Sequence, residues 1–111
     1  MKVNLVKKTP TIDEYAKSNA RSKPSFAIWL TVVKSADWSR PEDIQQTFGT
    51  ADLLGNGTNR VIFNIGGNNY RMICKYQFGK KKAQLFIKWI GTHAEYTKLC
   101  AKKEQYSVSL Y

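Results

Sequence analysis

Arg60-Val61-Ile62-Phe63-Asn64-Ile65-Gly66-Gly67-Asn68-Asn69-Tyr70-Arg71-Met72-Ile73-Cys74-Lys75-Tyr76-Gln77 is the stretch whose reading decides the fold. Residues 60–65 and 70–77 are rich in β-branched and aromatic side chains and read as strands. Gly66-Gly67-Asn68-Asn69 between them is a turn. A connection this short makes the two strands antiparallel. Gly79 and Lys80-Lys81-Lys82 mark a second turn, and residues 83–91 form a third strand.

Upstream, the pattern changes to helices. Residues 1–6 alternate and suggest a short strand. Residues 11–19 read as a helix with Thr11 as its cap and Glu14 at capping-box spacing; Ile12, Tyr15 and Ala16 share a face. A second helix starts at Ser22 or Lys23, with Pro24 tolerated in its first turn. Its Phe26, Trp29, Leu30 and Val33 follow i, i+3, i+4, i+7 spacing. It is apolar nearly all round, which suits burial against a sheet. Ser39-Arg40-Pro41-Glu42 opens a third, short helix that ends before Gly49. A C-terminal helix begins at Thr92 and runs to about Lys103, and the tail either adds a last strand or lies loose. The fold expected is α+β: N-terminal helices on an antiparallel sheet of three to four strands, one sheet face open to solvent, and a C-terminal helix. Residues 1–111 suit one domain.

Charge is unevenly spread. Eighteen Lys and Arg stand against eight Asp and Glu, a formal charge of +10. Such an excess is self-repulsive unless an anionic partner offsets it. Between Asp52 and Glu95 there is no acid, whereas Arg60, Arg71, Lys75, Lys80, Lys81, Lys82 and Lys88 all fall there. Phosphate binding accounts for this, because a carboxylate would repel the ligand and each cation contact releases counterions. Alternation collects Arg60, Asn64, Arg71, Lys75 and Lys88 on one sheet face, opposite Val61, Phe63 and Ile65. In the third strand Gln84, Phe86, Lys88 and Ile90 oppose Leu85, Ile87 and Trp89. Thr92 and Glu95 have capping-box spacing. His93, the one histidine of the chain, then sits at the first helical position, where free N–H groups favour a phosphate. Tyr96 follows on the same side of the helix.

No segment is long or apolar enough to span a bilayer, and the N-terminus lacks the apolar region of a signal peptide. Cys74 and Cys100 match no zinc spacing and read as reduced thiols; nothing demands a disulfide between them. A cytoplasmic protein without a metal or other cofactor is the expectation.

Val61-Ile62-Phe63-Asn64-Ile65-Gly66-Gly67-Asn68-Asn69-Tyr70-Arg71-Met72-Ile73, followed by Ile90-Gly91-Thr92-His93-Ala94-Glu95-Tyr96, resembles the HigB-type toxins of bacterial toxin–antitoxin systems, within the RelE-like group of ribosome-dependent mRNA interferases. The likeness is sharp over the second half of the chain. It implies a RelE-like domain that enters the ribosomal A site and cleaves mRNA without a metal, by attack of the ribose 2′-OH on the adjacent phosphate. Arg71 matches the arginine that holds the scissile phosphate. His93 and Tyr96 match the helix-start positions that carry proton transfer or orientation. Asn64 stands where relatives outside the HigB subgroup often have a cation. Arg60, Lys75, Lys88, Lys81 and Lys82 are implied RNA contacts. Glu95 fits two readings, a base or the partner of Thr92 in the cap, and its spacing favours the cap. The resemblance also implies a HigA-type antitoxin as partner. No segment reads as a helix-turn-helix, so specific DNA binding by this chain alone is not expected. Two other readings compete: a non-catalytic RNA- or ribosome-binding module, and a basic partner of an acidic protein.

Overall fold

The computed structural model describes all residues from Met1 to Tyr111. Strand β1 (Lys2–Val6) leads into a π-helical turn (Thr9–Asp13) that continues as α1 (Glu14–Ser18). A 3-10 turn (Ala20–Ser22) precedes α2 (Lys23–Lys34), and α3 (Pro41–Thr47) follows. Then come β2 (Asp52–Leu53), β3 (Arg60–Ile65), β4 (Tyr70–Phe78) and β5 (Lys82–Thr92), and finally α4 (His93–Ala101) and a 3-10 turn (Glu104–Tyr106). No helix is long and apolar enough to cross a membrane. Both cysteines are free.

The α+β class and the β3–β4–β5 meander are as expected, but the sheet is larger and mixed. It has five strands in the order β1-β5-β4-β3-β2. Strand β1 lies parallel to β5, with Leu5 opposite Leu85. Parallel pairing requires a long crossover, here supplied by everything between the two strands. Strand β2 is a two-residue edge, too short for alternation to reveal. The Thr11–Glu14 cap is not formed. Thr11 lies inside the first helical turn, buried, and its hydroxyl donates to the carbonyls of Lys7 (2.8 Å) and Lys8 (3.1 Å).

One face of the sheet packs on the N-terminal helices. Ile12, Phe26, Trp29, Val33, Trp38 and Ile44 meet Val61, Phe63, Ile65, Met72, Leu85 and Ile87 there. Trp29 stacks on Phe48 (5.9 Å, 18°), and both rings meet Phe63 edge-on. Helix α2 is buried on one side only; Ile28 remains 68% exposed. The apolar circumference read from the sequence is therefore only partly used by the sheet.

The other sheet face is not left open. Ile62, Ile73 and Trp89 form a second, smaller cluster beneath Tyr96 and Leu99 of α4 and Val108 of the tail. The tail neither adds a strand nor lies loose. The guanidinium of Arg60, 7% exposed, donates through Nη1 to the carbonyls of Gln105 (3.2 Å) and Val108 (2.7 Å). The Leu110 N–H donates to the Lys88 carbonyl (2.8 Å). Arg60 thus works as a strap anchor.

The face assignment for β5 holds only up to Ile87. Ile73 pairs with Trp89 and Cys74 with Ile87, so Lys88 is an extra residue without an opposite. This bulge reverses the alternation. Trp89 joins the second face, and Ile90 turns into the helix-side core.

Arg60→Ala should lower the unfolding free energy by roughly 1–3 kcal/mol, because it removes charge-assisted bonds and strands two carbonyls. Urea titration of both proteins tests this, and an unchanged midpoint would remove the tail from the stability account.

Candidate active site

Pairing places Asn64, Arg71 and Gly91 opposite one another on β3, β4 and β5. The row lies one pair from the β3–β4 turn. That turn closes through Gly66 and Gly67, with φ of +64° and +66°. A Cβ on Gly66 would also press on the Ser25 hydroxyl, at 2.8 Å. The N–H of His93 donates to the Asn69 carbonyl (3.1 Å), which ties the first residue of α4 to the turn. The helix start is fixed by the capping box read from the sequence. Thr92 N–H donates to Glu95 Oε1 (2.8 Å), and Glu95 N–H to Thr92 Oγ1 (3.2 Å).

Arg71 is the buried charge of the site, 8% exposed. Its Nη1 donates to the Tyr70 carbonyl (3.0 Å) and its Nη2 to Asn68 Oδ1 (3.1 Å). No carboxylate forms an ion pair with it. A buried cation without a counter-ion is costly. Its remaining N–H donors suit an anion with two oxygens in a plane. Beside it, Thr50, Asn64, Gly67 and Asn68 line a shallow polar cleft of about 260 Å³.

His93 is exposed at the helix start. Its Nδ1 lies 3.4 Å from Thr97 Oγ1, a long contact from the next turn, and its Nε2 has no protein partner. Tyr96 is half-buried, packed on Ile62, Ile73 and Trp89, with its ring 6.1 Å from the Trp89 ring. Burial pushes the Tyr96 phenol well above the ordinary tyrosine range. A hydrogen bond with Cys100 and the negative charge of Asp52 act in the same direction, and Arg71 opposes them. The phenol therefore stays protonated, a hydrogen-bond donor rather than a base. Gly91 leaves room for this arrangement: a Cβ there would run into the Trp89 ring.

Of the residues singled out from the sequence, Asn64, Arg71, His93 and Tyr96 gather at this end of the sheet. Lys75 is exposed further along β4. Lys81 and Lys82 lie at the opposite turn, on the order of 25 Å along the strand from Arg71. Lys88 sits at the bulge beside Tyr111. Arg60 is under the tail. Sequence reading assigned no site role to Asn68, Trp89, Gly91 or Thr97. Thr97 carried a signal in its i+4 spacing from His93; Trp89 carried none, because the bulge decides its face. No three His, Cys, Asp or Glu side chains converge in a way that would hold a metal ion. The chemistry available is a fixed guanidinium for anionic oxygens, an imidazole with a free nitrogen, a neutral phenol and an amide.

A family model described as HigB_toxin, the RelE-like toxic component of a toxin–antitoxin system, matches residues 22–99. An mRNA interferase HigB from Escherichia coli O6:H1 (strain CFT073) is 36% identical over 84 residues, covering 72% of this chain and 80% of that protein.

Tyr96→Phe should leave the phenolate absorbance step near pH 10 unchanged and lower the amplitude above it, to which Tyr15, Tyr76 and Tyr111 also contribute, since the Tyr96 pKa is raised from 10.0. Loss of amplitude in the ordinary step would contradict the burial argument. Gly91→Ala should cost roughly 1–3 kcal/mol by overpacking. Urea midpoints measure the cost, and tryptophan fluorescence should report the displaced Trp89.

Proposed function

The chain belongs to the HigB family of RelE-like toxins, and we propose that it is a ribosome-dependent endoribonuclease that cuts translated mRNA. The observation that carries this reading is Arg71, a buried guanidinium without a carboxylate partner, beside His93 and Tyr96 at a helix start. In the proposed reaction the ribose 2′-oxygen bonds to the adjacent phosphorus and the bond to the 5′-oxygen breaks. The 2′-OH proton leaves to a base, and the departing 5′-oxygen gains a proton. The products are a 2′,3′-cyclic phosphate and a 5′-OH.

Arg71 holds the non-bridging oxygens and stabilises the charge that grows on the phosphorane. Asn64, across the strand pair, lines the cleft from which the RNA approaches. His93 presents its free Nε2 for the proton transfer, while Thr97 at Nδ1 orients the ring. Tyr96, kept protonated by its burial, donates a hydrogen bond to the reacting group. Glu95 is held in the helix cap and is not the base. Lys75, Lys81, Lys82 and Lys88 contact RNA away from the scissile phosphate, and Arg60 does so only where the tail lifts. The reading places the protein in the cytoplasm, with mRNA in the ribosomal A site as substrate and a HigA-type antitoxin as its neutralising partner.

Primer extension on mRNA from cells expressing the chain tests the reading. Cuts inside translated codons are expected, and they should vanish when ribosomes are blocked. Arg71→Ala should reduce cleavage by about 10²–10³-fold, in line with loss of a preorganised charge stabiliser. His93→Ala should reduce it by about 10²–10⁴-fold. Ribosome binding with intact RNA ends would instead identify a non-catalytic binding module.

A further inference from the structure

Helix α2 has apolar residues that neither the core nor the proposed reaction uses. Phe26, Trp29 and Val33 face the sheet. On the outer side, Ile28 is 68% exposed, and apolar grooves flank it. One groove, about 510 Å³, runs between α1 and α2, with Ala16, Ala27 and Leu30 in its wall and Lys17 and Lys23 at its rim. The other, about 300 Å³, is walled by Ile28, Val32 and Phe48 and runs onto Asn64 and Gly67. Those two residues also line the polar cleft beside Arg71. A large exposed isoleucine between two apolar grooves is an interaction surface in form.

The charges around it are mostly positive, with Asp13 the one acid lining the first groove. Helix α2 contains no acid and is bracketed by exposed Lys23 and Lys34, with Arg21 just before it and Lys17 across the groove. None of these cations is in an ion pair. The carboxylates on this side are Asp13, 3.5 Å from Lys8, and Glu14. RNA phosphates would use the cations and leave Ile28 in water. A polypeptide with an apolar stripe flanked by carboxylates uses both.

We propose that the outer face of α2 receives an acidic, amphipathic segment of the antitoxin, an inference that rests on the toxin reading above. The segment buries Ile28 and pairs with Lys17, Lys23 and Lys34. Its end lies over Asn64 and Gly67, so it obstructs the mouth of the cleft without touching Arg71. Masking then works by excluding the ribosome-bound RNA rather than by neutralising the catalytic charge.

The test uses the full chain with a HigA-type antitoxin. Ile28→Glu and the double charge reversal Lys17→Glu/Lys23→Glu are compared with the parent protein, each after thermal melting has shown an unchanged fold. Affinity for the antitoxin should fall about tenfold or more in both, since a central apolar anchor and its charged rim are removed; ribosome binding should persist. A photo-reactive residue in place of Ile28 should cross-link to the antitoxin, and one in place of Lys75 should not. Unchanged affinity in both variants, or cross-linking from position 75 alone, would overturn the proposal. So would an Ile28→Glu chain that loses the ribosome and keeps the antitoxin. Because every readout is binding, a chain that docks the antitoxin at α2 but leaves RNA intact would sink the cleavage reading and spare this surface.

Discussion

One extra residue in β5 sets the geometry on which the candidate site depends. Lys88 has no opposite on β4, so the strand changes phase between Ile87 and Trp89. Had alternation continued, the Trp89 indole would point into the helix-side core and Ile90 would lie under α4. With the bulge, Ile90 fills the core, Trp89 supports Tyr96, and Gly91 comes to the row of Asn64 and Arg71. The phase of β5 also fixes the phase of α4, because Thr92 ends the strand and caps the helix. Bulges that re-aim side chains next to functional sites are a recurrent device. Here one brings the first turn of α4, with His93 and Tyr96, beside Arg71.

Two buried arginines show how the same side chain serves opposite ends. Arg60 and Arg71 are both nearly solvent-free and both lack a carboxylate partner. Arg60 is covered by the tail whose carbonyls it binds, so its charge is spent on closing the sheet face. Its burial lowers its pKa. Arg71 is held by a carbonyl and an amide of its own turn, beside the polar cleft and the first turn of α4. Its partners orient it without neutralising it. Composition cannot separate these two, and alternation puts both on one face; only the path of the tail tells them apart.

What was legible in the sequence follows from how local each signal is. The hairpin, its Gly-Gly-Asn-Asn turn and the Thr92–Glu95 cap are set by neighbours a few residues apart, and they are found where the pattern puts them. The parallel contact of β1 with β5 and the strap from Arg60 to Gln105 and Val108 join residues far apart in the chain. No periodicity encodes such contacts. Thr11 failed as a cap for a different reason. Capping-box spacing to Glu14 was present, but the helical turn begins earlier, at Thr9, and the hydroxyl found the Lys7 and Lys8 carbonyls instead. The grouping of Asn64, Arg71, His93 and Tyr96 was readable because strand pairing and one cap suffice to bring them together. Their packing on Trp89 was not.

The proposed chemistry must also cope with having no carboxylate paired with Arg71. Glu95 is committed to the cap, and Asp52 lies on the edge strand β2, where its charge helps keep Tyr96 protonated. A carboxylate base next to Arg71 would pair with it and compete with the phosphate for the same N–H donors. Keeping acids out therefore preserves the anion site at the expense of a strong base. His93 can fill the gap only if the 2′-oxygen is delivered in line with the scissile bond, because orientation can replace much of what basicity would supply. An open, shallow cleft does little to orient a flexible RNA by itself. On this reading, the need for a ribosome follows from the site's own electrostatics: an arginine kept without a carboxylate partner for phosphate binding needs its substrate held from outside.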